Sequence, residues 1–159
     1  MRYRIISVGR IKESFYSEGI NNYLKRIRPY LPIDLIDGLE EKTNPYGSSK
    51  YYDKIVQKEG EKVLNILGED EILVVCDMTG KPVSSEDWAR LMGEWNNSGK
   101  KRINLIIGGS HGTSRELKNR AQHIISFSKM TFPHHMAVLI LCEQIYRGIK
   151  IMRGEPYHK

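Results

Sequence analysis

No run of eighteen or more apolar residues occurs in the 159-residue sequence, so no membrane-spanning helix is expected. The first residues, Met1-Arg-Tyr-Arg-Ile-Ile-Ser-Val8, hold a strand-like run too short for the core of a signal peptide. Cysteine is scarce. Cys76 and Cys142 would allow one disulfide by number, but their apolar settings favour buried thiols in a reducing compartment, and the cytoplasm is the default location. Several catalytic signatures are missing as well. There is no Gly-x-Gly-x-x-Gly, no Walker lysine and no His-Glu-x-x-His. Their absence argues against a doubly wound oxidoreductase, a P-loop enzyme and a zinc protease. No metal is expected. His134 and His135 are adjacent, and on a helix their side chains would diverge by about 100°.

What is present suits one domain spanning residues 1–159. Hydrophobic residues at 40% and charged residues at 28% are enough to form a core and too balanced for disorder. The net charge is +6, with basic clusters at Lys25 to Arg28, Lys100 to Arg102 and Arg147 to Lys159. This charge permits a polyanionic partner without requiring one. In the last cluster Tyr157 and His158 lie among the basic groups, a mixture suited to base stacking and phosphate contact.

Strand-length apolar runs alternate with helical patterns throughout. Strands are expected at 3–8, 33–36, 71–77, 102–108 and 123–127. Helices are expected at about 12–27, 51–67, from Ser84 or Ser85 to 96, 114–122 and 134–152. In the first helix Phe15, Ile20, Tyr23, Leu24 and Ile27 fall roughly on one face. Residues 40–49 have the composition of a mobile loop, and Thr79-Gly80-Lys81-Pro82 reads as a turn. Strict alternation predicts a mostly parallel sheet with helices on both faces. Ligands in such sheets bind beyond the carboxyl ends of the strands, which selects Cys76-Asp77, Gly108-Gly109 and Ser126 to Phe132. The "GGSHGTS" turn after a core strand is either a simple tight turn or a place where backbone approaches a ligand. The final helix is apolar on all sides over Met136 to Cys142 and then continues as the stripe Ile145, Ile149 and Met152. This pattern favours a homodimer interface over burial within one small core.

The segments "VGRIKE", "LIIGGSHG", "SFSKMTFPHHM" and "EQIYRGIKIMRGEPYHK", with the total length, resemble the SPOUT-class ribosomal RNA large subunit methyltransferase H family. The resemblance runs through the whole chain. It implies a C-terminal trefoil knot, a homodimer, and S-adenosylmethionine-dependent methylation of N3 of a pseudouridine in 23S ribosomal RNA, with the assembled ribosome as the expected partner. The family's cofactor positions fall on Cys76, Gly108 and Phe127, Ser128, Lys129, Met130, Thr131 and Phe132. Cys76 departs from the aliphatic residue common there, a change that keeps apolar and backbone contact. Asp77 is a candidate for the ribose by position only.

Methyl transfer from a sulfonium is an in-line displacement that rests on positioning, and N3 must also lose a proton. His158 is expected to accept or position that proton, and Arg153 to hold a phosphate or the imide. Tyr157 and Lys159 are expected to contact RNA, and the tail has the option of acting across a dimer. Simple phosphate contact is the other role open to these groups. A non-enzymatic RNA- or ribosome-binding module of the same fold is the competing function.

Overall fold

The computed structural model describes residues 1–159. Five strands, β1 (Arg2–Ser7), β2 (Ile33–Ile36), β3 (Glu71–Pro82), β4 (Arg102–Ile107) and β5 (His123–Ser126), form one sheet in the order β2-β1-β4-β3-β5. Every pairing is parallel. Helices α1 (Ser14–Ile27), α2 (Ser49–Leu64), α3 (Ser85–Asn96), α4 (Arg115–Arg120) and α5 (His134–Met152) supply the crossovers and the last element.

The alternation along each strand decides which helices cover which face. Tyr3, Ile5, Val74, Ile103 and Leu105 pack with α1, α3 and α5, whereas Ile6, Leu73, Val75 and Ile106 pack with α2 and α4. Both faces are therefore covered, which is why β3 and β4 read as unbroken apolar runs.

Helix starts follow local chemistry. Ser84 accepts from the Asp87 amide, and the Asp87 side chain answers it in a capping box. Ser48 and Ser114 cap α2 and α4 by accepting from the Tyr51 and Leu117 amides, without the reciprocal bond. These caps place α2 two residues earlier than the hydrophobic pattern implied and shorten α4 to six residues.

Three expectations need correction. The segment Thr79 to Pro82 is not a turn but the end of β3. After a bulge the strand returns to its neighbour, pairing Lys81 with Ile125 and Pro82 with Ser126. Gly80 permits this, because a Cβ there would lie 2.6 Å from the Ile124 carbonyl carbon and the Ile125 nitrogen. Phe15 is 74% exposed and does not share the buried face of Ile20, Leu24 and Ile27. Residues 40–48 form a loop, but a tied one. The Tyr52 hydroxyl donates to the Asn44 carbonyl at 2.8 Å, and Lys62 pairs with Glu41 at 3.0 Å.

Helix α5 lies between α1 and α3 and buries Val138, Leu141, Ile145 and Ile149 on one stripe. Four such side chains contribute on the order of 6–12 kcal/mol, comparable with the whole stability of a domain. Met136, Leu139 and Ile140 stay half-buried within the single chain. Gly148 lets α5 close on α3, since a Cβ there would meet Met92 Sδ at 2.5 Å and Trp88 Cδ1 at 3.1 Å. With β5 and α5 anchored, the irregular segment between them is fixed at both ends.

Candidate active site

A cavity of about 680 Å³ opens beyond the carboxyl ends of β3, β4 and β5. Its size is that of a site for a small organic ligand. One wall is Cys76, Asp77 and Met78. A second runs from Ile107 through the glycine turn to Thr113. The third is Phe127 to Pro133 without Lys129, continued by His134 and Ala137 of α5. The three strand ends selected by sequence thus meet around one space.

Each wall has a local cause. Gly108 sits so close to the returning turn that a Cβ would lie 2.6 Å from Thr113 Oγ1 and 3.0 Å from the Gly112 carbonyl oxygen. Gly112, with a φ of +93°, makes that turn possible. Below it, α2 approaches through Gly60, whose Cβ would fall 2.2 Å from Ser114 Oγ, and a Cβ at Gly109 would lie 2.7 Å from Glu59 Oε2. The third wall is braced from within. Ser126 Oγ donates to the Ser128 carbonyl at 2.8 Å, and the Met130 amide donates to Ser128 Oγ at 3.0 Å. The amides of Thr131 and Phe132 find no acceptor within the chain.

These features fit an adenosyl ligand. Apolar side chains flank the space for a flat ring, close-set glycines expose backbone, and free amides suit the hydrogen-bonding edge of a base. Cys76 is a neutral contact there, because burial, with Asp77 nearby, pushes its thiol up to about 12. Asp77 lines the cavity but is largely committed. Burial would raise its carboxyl, yet the Thr79 amide and hydroxyl at 2.8 and 2.6 Å and Lys118 at 3.3 Å hold it below the usual range. About one lone-pair position is left for a ribose hydroxyl. Lys129 is exposed and its side chain takes no part in the lining.

The carboxyl-terminal residues lie elsewhere in the single chain. None of Arg153, Tyr157, His158 and Lys159 lines the cavity. Arg147 NH1 meets His158 Nδ1 at 3.2 Å, and His158 Nε2 meets Glu86 Oε1 at 2.8 Å. Because a guanidinium only donates, Nδ1 accepts and Nε2 carries the proton that Glu86 receives. Both ring nitrogens are therefore engaged. The Tyr157 hydroxyl donates to Glu143 at 3.2 Å, and burial together with Glu143 pushes its phenol up to about 12. Arg153 pairs with Glu155 and lies 5.0 Å from the Tyr30 ring centre; Lys159 is exposed.

Two residues escaped the sequence reading. His134 lines the cavity and bonds to the loop after β1, and its Nε2 stands 3.1 Å from the Arg10 carbonyl oxygen. It is the first residue of α5 but does not cap it, so its assignment as a helix-start residue missed its main contact. No short motif joins residues 10 and 134. Glu59 is buried beneath Gly109, where desolvation raises its carboxyl despite an opposing amide from Glu41 and the charge of Lys62. A folded-state value above the unfolded one means stability is greatest when the acid is protonated, and falls as pH rises through the folded value. Glu59→Gln is thus expected to raise the melting temperature at pH 7.5 by about 2–4 °C, the effect of about 1 kcal/mol, with the gain vanishing near pH 4. Thermal denaturation at the two pH values checks it.

Comparison with known proteins agrees with this geometry. Residues 1–158 match the family model described as "Predicted SPOUT methyltransferase". The chain is 58% identical over its full length, and the full length of the relative, to ribosomal RNA large subunit methyltransferase H of Syntrophomonas wolfei subsp. wolfei. It is 44% and 45% identical, again over both full lengths, to the proteins of that name from Carboxydothermus hydrogenoformans and Clostridium novyi. A parallel α/β sheet with an adenosyl-sized cavity at its carboxyl edge, matched from end to end in sequence, makes this chain a member of the SPOUT methyltransferase family.

Proposed function

We propose that the protein methylates N3 of a pseudouridine in 23S ribosomal RNA, using S-adenosylmethionine, as a homodimer of single-domain chains in the cytoplasm. The observation that carries this reading is the cavity walled by Cys76, Gly108, Phe127, Ser128 and Met130 to Phe132, which are, Lys129 apart, the positions that the family resemblance assigns to the cofactor. When bound, S-adenosylmethionine supplies an electrophilic methyl group. The chain's own residues exclude water with Met78, Phe127 and Met130, receive the adenine edge on the free amides of Thr131 and Phe132, and offer Asp77 to the ribose. Threading of the segments around residues 76, 108 and 127–132 as a trefoil knot belongs to the same reading. The close passage of β5 past Gly80 supports it.

RNA binding is assigned to the basic tail. Within one chain Arg153, Tyr157, His158 and Lys159 stand away from the cavity, so in this reading they serve the site of a second copy. The half-buried Met136, Leu139 and Ile140, with Phe15 and Met130 each 74% exposed, offer apolar surface for that contact. No helix is long and apolar enough to cross a membrane.

Calorimetry with S-adenosylmethionine and S-adenosylhomocysteine should give one site per chain, and absence of binding by both would sink the cofactor assignment. Labelled methyl transfer to 70S ribosomes, 50S subunits and free 23S RNA then identifies the substrate form. Cofactor binding without transfer to any of the three would favour the non-enzymatic RNA-binding reading.

A further inference from the structure

Three titratable side chains line the cavity: Cys76, Asp77 and His134. The proton on N3 needs an acceptor near the reacting atoms, and the choice among the three is set by what each already does. The Cys76 thiol stays protonated in its buried setting, so it has no negative charge to offer. Asp77 is held by Thr79 and Lys118, whose bonds favour the carboxylate and make it a poor proton acceptor.

His134 differs. Its only hydrogen bond in the chain joins Nε2 to the Arg10 carbonyl oxygen, and a carbonyl accepts but never donates. Nε2 therefore carries the hydrogen, and in the neutral ring Nδ1 keeps an open lone pair. The ring is also fixed in place. Its Nε2 edge rests on Gly9, where a Cβ would lie 2.6 Å from Nε2 and 2.8 Å from Cδ2 and Cε1, so no other residue at position 9 permits this seat. The backbone of α5 holds the other end. The result is an imidazole of set tautomer and set orientation on the wall of the cavity.

Building on the methyltransferase reading above, we propose that His134 is the base that takes the N3 proton of the target pseudouridine. The N3–H bond breaks with its electron pair left on nitrogen and its proton bound to Nδ1. That pair then forms the N–CH3 bond, and the electrons of the broken C–S bond remain on sulfur as the neutral thioether. The imidazolium returns its proton to water after product leaves. Arg10, through its carbonyl, is a positioning residue for this step.

His134→Gln separates the two roles of the ring, because the glutamine amide can still donate to the Arg10 carbonyl but cannot take up a proton. Its expected behaviour is S-adenosylmethionine affinity within about threefold of wild type, by calorimetry, and single-turnover methyl transfer slowed about 100-fold. Added imidazole should restore transfer in His134→Ala. Nitrogen-15 spectra of the wild-type protein should show His134 as the Nε2–H tautomer. Transfer by His134→Gln at the wild-type rate, a loss of cofactor affinity as large as the loss of rate, or an Nδ1–H tautomer would each overturn the proposal. A wild-type protein that binds no S-adenosylmethionine and methylates no RNA removes the reading beneath it, and is distinguished by that binding result.

Discussion

Gly80→Ala is expected to lower the melting temperature by about 6–12 °C and to weaken S-adenosylmethionine binding at least about tenfold. The added methyl group would sit 2.6 Å from backbone atoms of Ile124 and Ile125, and neither strand can turn aside as a flexible side chain would. Overpacking of this kind costs about 3 kcal/mol, and in a chain of this size each kcal/mol moves the transition by about 2–4 °C. The effect on binding follows from position. Gly80 lies between Met78 and the rejoined end of β3, so pushing β5 away displaces Phe127 and Ser128 from the cavity wall. Gly93→Ala is the matched control. Its Cβ would meet nothing closer than Met152 Sδ at 3.8 Å, and alanine improves a helix interior. Differential scanning calorimetry with and without ligand decides the matter, and a shift under about 2 °C for Gly80→Ala would refute the close approach.

Deleting Glu155 through Lys159 is expected to cut methyl transfer about 100-fold or more while leaving cofactor affinity within about twofold. The second half of that expectation rests on geometry, since no deleted residue lines the cavity. The first half rests on the family reading of the tail as the RNA-holding part, and losses of this size are typical when a positioning group at a charged centre is removed. Stability should change little, because the lost contacts, of His158 with Glu86 and Arg147, of Glu155 with Lys150 and Arg153, and of Tyr157 with Glu143, all lie outside the hydrophobic core. A mixing experiment then tests the shared site. Truncated chains keep an intact cavity, and chains carrying Gly108→Phe keep an intact tail. Refolded together, they should recover transfer that neither shows alone. No recovery in mixed dimers, or sedimentation of the wild-type protein as a monomer at micromolar concentration, would place the tail's action within one chain or outside the reaction.

Much of this architecture was legible because its determinants are local. Helix caps at Ser84 and Ser114, the apolar runs of β3 and β4, and glycine turns at strand ends each declare themselves within a few residues. The parallel sheet then follows from alternation alone. What escaped was set by partners distant in sequence. Gly80 reads as a turn residue until β5 is seen beside it, because its meaning is a missing side chain opposite Ile125. His134 reads as an ordinary helix start until Arg10 is found across 124 positions. Lys129 entered the site as one of a continuous run, yet an irregular loop turns neighbouring side chains in different directions and this one faces water. His158 is the reverse case. Its chemistry was plain from composition, but the Arg147 and Glu86 contacts that engage both nitrogens were not.

The strand order β2-β1-β4-β3-β5 also bears on how the chain is made. As the polypeptide leaves the ribosome, β1 and β2 can pair at once, while the other edge of β1 has no neighbour until residues 102–107 emerge. By then β3 has already been synthesised, so β4 has to enter between two earlier strands and complete the middle of the sheet last but one. During that interval one edge of β1 and both edges of β3 stand open to pairing with other chains, which exposes the nascent protein to aggregation. Renaturation should accordingly be slow for so short a chain, limited by insertion of the central strand and not by formation of its helices.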